Sequence, residues 1–247
     1  MRFLNELSVF LLATLAFSSA HAGEMTRAQV EQLLAKADKD HPAPLRRKDL
    51  TDMDLSGLDF RNADLWGADL RRSNFSHTNL SGLNLDLTVM TDIKLIGANL
   101  SNTSIFGVSL MHADASKANF SGSRVIAVME GANFSNADIR DADWAADMKN
   151  QSMGLMRANL KSANLKGADL SNSKFGRAML KHAKLNNAKL VNTDLYSADM
   201  DGANLTGADL TGANLSSAKL RDAIFTDAIT TGARFDDVKH LPPGIQQ

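Results

Sequence analysis

The chain of 247 residues contains no cysteine. That absence excludes disulfide bridges, thiolate zinc sites, iron–sulfur clusters and thiol nucleophiles. Aromatic residues make up only 6% of the chain, and there are only four prolines. The formal net charge of −1, with 22% charged residues, argues against disorder and against a general affinity for nucleic acid. The chain instead has 33 leucines and 34 alanines, so its apolar content is less varied than that of an ordinary core.

Residues 1–22 have the pattern of a secretory signal peptide. Arg2 precedes an apolar run over residues 7–17, and the sequence AHA at residues 20–22 has the small-x-small pattern that a signal peptidase cleaves. The apolar run is too short to span a bilayer, and no second run of membrane length follows. The sequence therefore predicts cleavage after Ala22 and a periplasmic or secreted mature chain without a transmembrane segment.

Residues 23–44 are predicted to form a capping helix and a linker. Thr26 is a suitable N-cap, and Gln29 three residues later completes a capping box. The apolar residues that follow form one stripe, so the helix must lay one face on another part of the molecule. Pro42 and Pro44 end it. We expect this helix to cover the open end of the structure that follows.

From Leu50 to Phe235, within a predicted repeat domain of residues 45–238, a large apolar residue recurs every fifth position, which we call the centre of a repeat. Of the 17 centres between Leu155 and Phe235, 16 are Leu, Met or Phe. In the same half, most residues two positions before a centre are alanine. Twelve of the chain's 16 glycines lie two positions after a centre. A biased composition alone would not place large apolar residues, alanine and glycine at fixed positions of one five-residue period.

A period of five residues fits neither a continuous helix nor a continuous strand. On an α-helix each step of five advances about 140° beyond a full turn, so the centres would spread over all faces. On a strand, an odd period moves the centre to the opposite face each time. The two-residue spacing from alanine to centre is strand-like, so the other three residues must turn the chain. A corner in every repeat predicts a solenoid whose coils stack about 4.8 Å apart.

Segments such as ANLKSANLKGADLSNS resemble the pentapeptide-repeat family, whose motif is A(D/N)LXX. The resemblance covers residues 45–238, most of the mature chain. It implies an all-β fold, a right-handed quadrilateral β-helix with four repeats per coil and about nine to ten coils. In such a coil the centre residues would fill the axis, and alanine would be small enough to sit near a corner.

The period is interrupted over residues 126–154. The four centres after Val125 come one residue early: Met129, Phe134, Ile139 and Trp144. The original frame returns at Leu155, and the stretch before it has no clean repeat. We expect a bulge or loop here, which is either a tolerated insertion or a special surface. Residues 239–247 form a C-terminal tail that two prolines keep non-helical.

Two groups of outward-facing residues are candidates for an interaction surface. If four repeats make a coil, side chains 20 residues apart form columns, and Trp66, Phe106 and Ile126 occupy one such phase. The second group belongs to a basic band over residues 158–192, where seven basic residues accompany one acidic residue. Its candidate contact residues are Lys161, Lys166, Lys181, Lys184 and Lys189.

The repeat brings together no set of nucleophile, base and orienting group, so we predict that the protein is not an enzyme. We also predict no cofactor, no metal and no nucleic-acid partner. The favoured function is an exported binding or scaffold module for an unidentified protein or an anionic envelope component. We expect a monomer or a weak dimer.

The resemblance implies an alternative function, because some members of the family protect DNA gyrase by mimicking DNA. The predicted signal peptide and the near-neutral charge disfavour this alternative. A purely structural spacer is a third possibility, and the sequence leaves it open.

Overall fold

A computed structural model of the protein describes residues 25–149, 156–242 and residue 245. The predicted signal peptide therefore lies outside the described residues. Within them the chain forms one helix, α1 (Arg27–Lys36), and four short strands. The strands are β1 (Ala43–Pro44), β2 (Ala63–Asp64), β3 (Ser104–Ser109) and β4 (Arg124–Val128). They form two parallel pairs, β1 with β2 and β3 with β4.

Parallel single-residue bridges hold most of the remaining described chain together. Each typically joins a residue to the one 20 positions later, as in Asp49 with Asp69 and Asn204 with Ile224. Because four five-residue repeats make 20 residues, each coil has four sides. The pairings trace nine complete coils and the start of a tenth, in agreement with the predicted number.

The four sides of the solenoid are numbered by the centres of the first coil. Leu45 lies on face 1, Leu50 on face 2, Leu55 on face 3 and Phe60 on face 4. Coils 1 to 9 are numbered by their centres on face 1: Leu45, Leu65, Leu85, Ile105, Val125, Trp144, Phe175, Leu195 and Leu215. The corner that joins face 1 to face 2 is called corner 1–2.

Large centre residues and small alanines fill the interior of the solenoid, as the sequence predicts. Centres such as Leu165 and Leu205 are fully buried, and so are the alanines two positions before them. Where serine or threonine replaces alanine, its hydroxyl donates to a nearby carbonyl, as Thr103 Oγ1 does to Leu100 O at 2.7 Å. A polar side chain is therefore tolerated at this position because it is paired.

The corners explain where the glycines occur. The residue two positions after a centre has a positive φ, as at Gly207 (+67°) and Asn187 (+55°). Glycine adopts this left-handed conformation without steric cost, and asparagine tolerates it better than most residues. All twelve glycines that the sequence places in this position have a positive φ.

Helix α1 lies at the start of the solenoid. Thr26 and Gln29 form its capping box, and Val30 is fully buried. The Arg27 guanidinium donates to the carbonyls of Asp54 (2.9 Å) and Ser56 (3.1 Å). In later coils the equivalent carbonyls accept backbone N–H groups from the preceding coil. Arg27 thus supplies donors that a preceding coil would otherwise provide.

The interrupted stretch changes the step between paired residues. Asp114 pairs with Asn133, 19 positions later, because the repeat that begins at Val125 has only four residues. Val128 then pairs with Asn159, 31 positions later, so this coil contains eleven additional residues. One residue fewer and eleven more equal two whole repeats, which is why the frame returns. The predicted return of the frame at Leu155 lies outside the described residues. Leu160 is the first described centre after the interruption that is again in the original frame.

An aromatic cluster fills the axis at this level. The ring centroid of Trp144 lies 5.4 to 5.7 Å from those of Phe120, Phe134 and Phe175. Trp144 is fully buried, and its Nε1 donates to Ser123 Oγ at 3.0 Å. Ser123 occupies a position that most later coils give to alanine, so its hydroxyl provides the partner that a buried indole requires.

Candidate interaction surface

Corner 1–2 changes in coils 4 and 5, where strands run through it, although Gly107 in coil 4 keeps a positive φ of +68°. After Ile105 the chain continues as strand β3, and after Val125 it continues as strand β4. Phe106 pairs with Ile126 and Val108 pairs with Ala127, which leaves Gly107 as a bulge between them. Coil 5 therefore lacks one of the two residues that form this corner in regular coils.

The missing corner opens a groove of about 530 Å³ along face 2. We call it the face-2 groove. It is lined by Gly107, Val108, Ser109, Ile126, Ala127, Val128, Met156, Arg157 and Met179. Val128 is 41% exposed, whereas Val108 and Ala127 are buried. The lining is mainly apolar, on a rod whose outward positions are otherwise mostly polar.

Polar side chains compensate for the lost backbone groups at corner 1–2. In a regular coil, the second turn residue donates its N–H to a carbonyl of the next coil, as Asp52 N does to Arg71 O at 3.0 Å. Coil 5 has no such residue, and Arg124 Nη1 donates to Ala145 O at 2.8 Å instead. The same nitrogen donates to Asp143 O at 2.8 Å. Arg124 therefore has a structural role and is not a free cation.

The eleven additional residues occur in the sequence at corner 1–2 of coil 6. Ala146 N still donates to Gly176 O at 3.0 Å, as a turn residue of a regular coil would. Asp147 N then donates to Met156 O at 2.9 Å, which brings the two sides of the additional segment together. Met156 and Arg157 line the face-2 groove.

The chemistry of face 2 changes along the axis of the solenoid. In coils 3 to 5 its outward side chains include Leu87, which is 50% exposed, and the partly exposed Val89 and Met111. In coils 6 and 7 the outward positions on both sides of the face are basic, and we call these residues the basic patch. The basic patch consists of Arg157, Lys161, Arg177 and Lys181.

Most of the basic patch is not neutralised. Lys161 Nζ forms an ion pair with Glu130 Oε1 at 3.0 Å. Within the described part of the chain, no ion pair involves Arg157, Arg177 or Lys181. The Arg177 guanidinium lies 5.8 Å from the ring centroid of Tyr196. Face 2 thus places uncompensated positive charge beside an apolar groove.

Comparison with protein families identifies the repeat. The family model for pentapeptide repeats matches eight copies, over residues 54–92, 90–122, 155–190 and 188–227, which is more than half of the chain. The chain belongs to the pentapeptide-repeat family. The fold of this family is a right-handed quadrilateral β-helix, and the four-sided coils described above agree with it. A comparison with curated proteins gives no match.

Several solved pentapeptide-repeat proteins are similar to this chain. HetL, involved in heterocyst differentiation regulation in the cyanobacterium Nostoc, is 29% identical over 87% of this chain and 95% of its own, with a TM-score of 0.41. QnrB1, a plasmid-mediated fluoroquinolone resistance protein, is 18% identical over 77% of this chain and 92% of its own, with a TM-score of 0.44. A protein from the Arabidopsis thaliana thylakoid lumen is 26% identical over 51% of this chain and 70% of its own, with a TM-score of 0.25.

The basic band predicted from the sequence encircles this pentapeptide-repeat solenoid. Lys161 and Lys181 are stacked beside face 2 because they are 20 residues apart. Lys166 lies at the corner between faces 3 and 4, and Lys184 lies on face 3. Lys189 lies on face 4, with its Nζ 3.8 Å from Asp169 Oδ2. Of the five predicted lysines, only Lys161 and Lys181 belong to the basic patch.

The predicted column of Trp66, Phe106 and Ile126 is not a continuous exposed surface. The prediction that Ile126 faces outward is wrong: it is only 3% exposed, because the corner that would have turned it outward is absent. The half-buried Trp66 lies between the guanidiniums of Arg46 and Arg47, 4.8 and 4.9 Å from its ring centroid. Phe106 is also half-buried.

Two features of this column were missed from the sequence. Asp86, which separates Trp66 from Phe106, accepts the Phe106 N–H at 2.9 Å, so it has a structural use. Tyr196 occupies the same outward phase and is 41% exposed. Tyr196 directly follows a face-1 centre, as Trp66 does. Counting in 20-residue steps and allowing for the longer coil 6 would have placed it in the column.

Three other surface arginines, Arg61, Arg71 and Arg140, form ion pairs with an aspartate two residues earlier in the chain. A side-chain hydrogen bond from Arg140 lowers the pKa of Asp138, and one from Arg71 lowers the pKa of Asp69. These pairs leave little charge free for a partner. In the two repeats of the basic patch, the residue before the centre is Asn159 or Met179 and not an aspartate. Lys161 and Lys181 therefore lack the carboxylate partner that Arg71 and Arg140 have in their own repeats.

Two further grooves lie elsewhere on the described surface. One of about 910 Å³ lies between α1 and coil 1 and includes Leu33, Lys48 and the Arg46–Asp64 ion pair. One of about 410 Å³ lies on the face-1 side of the additional segment. Among the described residues, no group of three or more His, Asp or Glu side chains could hold a metal ion. No helix in that part of the chain is long and apolar enough to cross a bilayer.

Proposed function

We propose that this pentapeptide-repeat protein is an exported, non-enzymatic binding module that holds a protein or an anionic envelope component against face 2. The observation that carries this proposal is the face-2 groove, where the solenoid loses a corner and exposes apolar side chains beside uncompensated basic ones. Export rests on the signal-peptide pattern of residues 1–22.

The regular coils support this choice of surface. Their outward asparagines and aspartates accept a turn N–H two residues later, as Asn204 Oδ1 does from Thr206 N at 3.0 Å. Such a residue is required by its own turn and therefore carries no information about a partner. At corner 1–2 the repeat rule is broken in coils 5 and 6, and the fold of a regular coil does not require the resulting apolar surface.

Site-specific photocrosslinking tests the binding surface. A benzophenone amino acid replaces Val128 in the groove, and the matched control replaces Val191 at the corner that follows face 4, which is also partly exposed. We expect discrete crosslinked species in envelope extracts from position 128 and none of them from position 191. Equal crosslinking from both positions, with both variants retaining the circular dichroism spectrum of the parent, would contradict the proposal.

Export and the gyrase alternative are tested separately. A tagged full-length protein should be found in the periplasm or medium with its N-terminus at Gly23, whereas recovery in the cytoplasm with residues 1–22 intact would remove the export claim. The mature protein should leave the supercoiling activity of purified gyrase unchanged. Protection of gyrase by the mature protein would replace the proposal with the DNA-mimic function.

A further inference from the structure

We infer that the face-2 groove binds an acidic peptide segment that carries apolar side chains, presented by a partner protein. This inference rests on the proposed function, because it assumes that face 2 is the binding surface. It goes further by naming the chemistry and the class of the occupant.

The two halves of face 2 require two kinds of group in the partner. The groove in coils 4 and 5 offers apolar contact to inserted side chains, with Val128 41% exposed at its edge. The basic patch in coils 6 and 7 adjoins it through Met156, Arg157 and Met179. A segment that lies along the solenoid axis meets apolar surface first and positive charge within about 10 Å, because coils are spaced about 4.8 Å apart. Carboxylates complement that charge.

The shape of the groove favours a peptide over a membrane. Val108, Ile126 and Ala127 form its floor and are almost fully buried, so a flat bilayer surface would not reach them. A volume of about 530 Å³ falls in the range that encloses one drug-sized molecule, about 300–1,000 Å³. Individual apolar side chains of a peptide can enter such a space while its backbone remains outside.

The limited extent of the basic patch favours a short acidic stretch over a long polyanion. Glu130 precedes Lys161 in its column and already forms an ion pair with it. Asp201 follows Lys181 in the same column, one coil further on. An acidic residue therefore bounds the patch at each end of this column, and the stretch between them is too short for the continuous phosphate contacts of a nucleic acid.

The test is selection from a random heptapeptide library on the mature chain, with two double variants that carry the same change in net charge. Lys161→Glu with Lys181→Glu reverses charge in the basic patch. Lys166→Glu with Lys184→Glu reverses charge in the same band but away from face 2. We expect the parent protein to select peptides that combine acidic with Leu, Met or Phe residues.

The affinity of a selected peptide, measured by fluorescence anisotropy, should fall at least about tenfold in the patch variant and stay unchanged in the control. Val128→Asp should cause a comparable loss by placing a carboxylate at the apolar edge. The neutral variant Lys161→Gln with Lys181→Gln should give a smaller loss in the same direction, which keeps the test valid if charge reversal disturbs folding.

Several outcomes would overturn the inference. One is the absence of an acidic and apolar consensus, and another is an equal loss of affinity in the patch and control variants. A third is binding to phosphatidylglycerol vesicles that depends on Lys161 and Lys181 when no peptide is selected, which would assign the surface to anionic lipid. If position 128 still gives specific crosslinks in these cases, the proposed function stands and only the peptide assignment fails.

Discussion

The regular coils from residue 158 onward and the interrupted coils over residues 105–157 obey different rules. In the regular coils every position has a repeated structural use: centres fill the axis, alanines sit beside the corners, and glycine or asparagine turns the chain. In the interrupted coils a corner is replaced by strands β3 and β4, and Arg124 replaces a missing backbone donor. In regular coils the backbone and the interior are the same at each level, and only the outward side chains differ, whereas an interrupted coil also has a different backbone surface. Distinct binding chemistry is therefore expected where the repeat is broken.

The largest loss of stability is expected at Trp144, the largest side chain in the axis of the interrupted coils. Trp144→Ala removes its contacts with three phenylalanines and leaves the Ser123 hydroxyl without its partner. We expect the free energy of unfolding to fall by about 3–5 kcal/mol in urea titrations. Trp66→Ala should cost about 1 kcal/mol or less, because that indole is half-buried and held by Arg46 and Arg47. Equal losses would show that the aromatic cluster adds nothing special.

A second substitution tests why the regular coils need alanine. Ala183 and Ile93 occupy the same position before a face-3 centre, four coils apart, and both are buried. Ala183→Ile overfills a coil whose neighbours also carry alanine there, and should lower the free energy of unfolding by about 1–3 kcal/mol. A neutral result in the same urea titration would mean that alanine is not required by packing.

The spacing of Leu, Ala and Gly predicted the period, the solenoid and the location of the interruption, and the resemblance to pentapeptide repeats implied the four-sided coil. It also contained the signal for the basic patch, which was not recognised. Successive lysines five residues apart lie on successive faces, and only those 20 apart, such as Lys161 and Lys181, share one. A band that is continuous in sequence is therefore distributed around the solenoid.

The orientation of Ile126 and the groove beside it could not be predicted in the same way. Residues 20 positions apart form an outward column only if every coil has an intact corner. The corner after Val125 is not intact, because that repeat has four residues. The pairing of Val128 with Asn159 across 31 positions is hidden by the additional segment. The groove depends on both departures together, so neither a period nor a motif indicates it.

Arg124 provides a sharper contrast between the two regions. Arg124→Gln removes the donor for the carbonyls of Asp143 and Ala145, so we expect a loss of about 1–2 kcal/mol in the free energy of unfolding. Denaturant unfolding of the mature chain measures this loss. A change below about 0.5 kcal/mol would indicate that water replaces the guanidinium, and that Arg124 has no role in closing the corner.

Restoring the missing corner residue should convert the interrupted coil to a regular one. Insertion of Gly between Ile126 and Ala127 supplies the second turn residue and its N–H, so the free energy of unfolding should change by about 1 kcal/mol or less. The inserted turn should also fill part of the face-2 groove and weaken the selected peptide at least about tenfold. Combining it with Arg124→Gln should cost less than that substitution alone, because the new N–H can serve Ala145 O. Additive losses would contradict this.

The smallest effect is expected at Arg140, which lies in the same coil as Arg124 but on a regular face. Arg140 donates to both carboxylate oxygens of Asp138, at 2.8 and 2.6 Å, and these bonds lower the pKa of Asp138. Because this pKa is lower in the folded than in the unfolded state, the stabilisation is present at neutral pH and is lost as the pH falls through the folded pKa.

Arg140→Gln should therefore raise the pKa of Asp138 in an NMR titration. It should reduce the free energy of unfolding at pH 7 by less than about 1 kcal/mol, since the pair is largely exposed. A loss as large as that of Arg124→Gln would remove the distinction between an arginine that decorates a regular face and one that closes a broken corner.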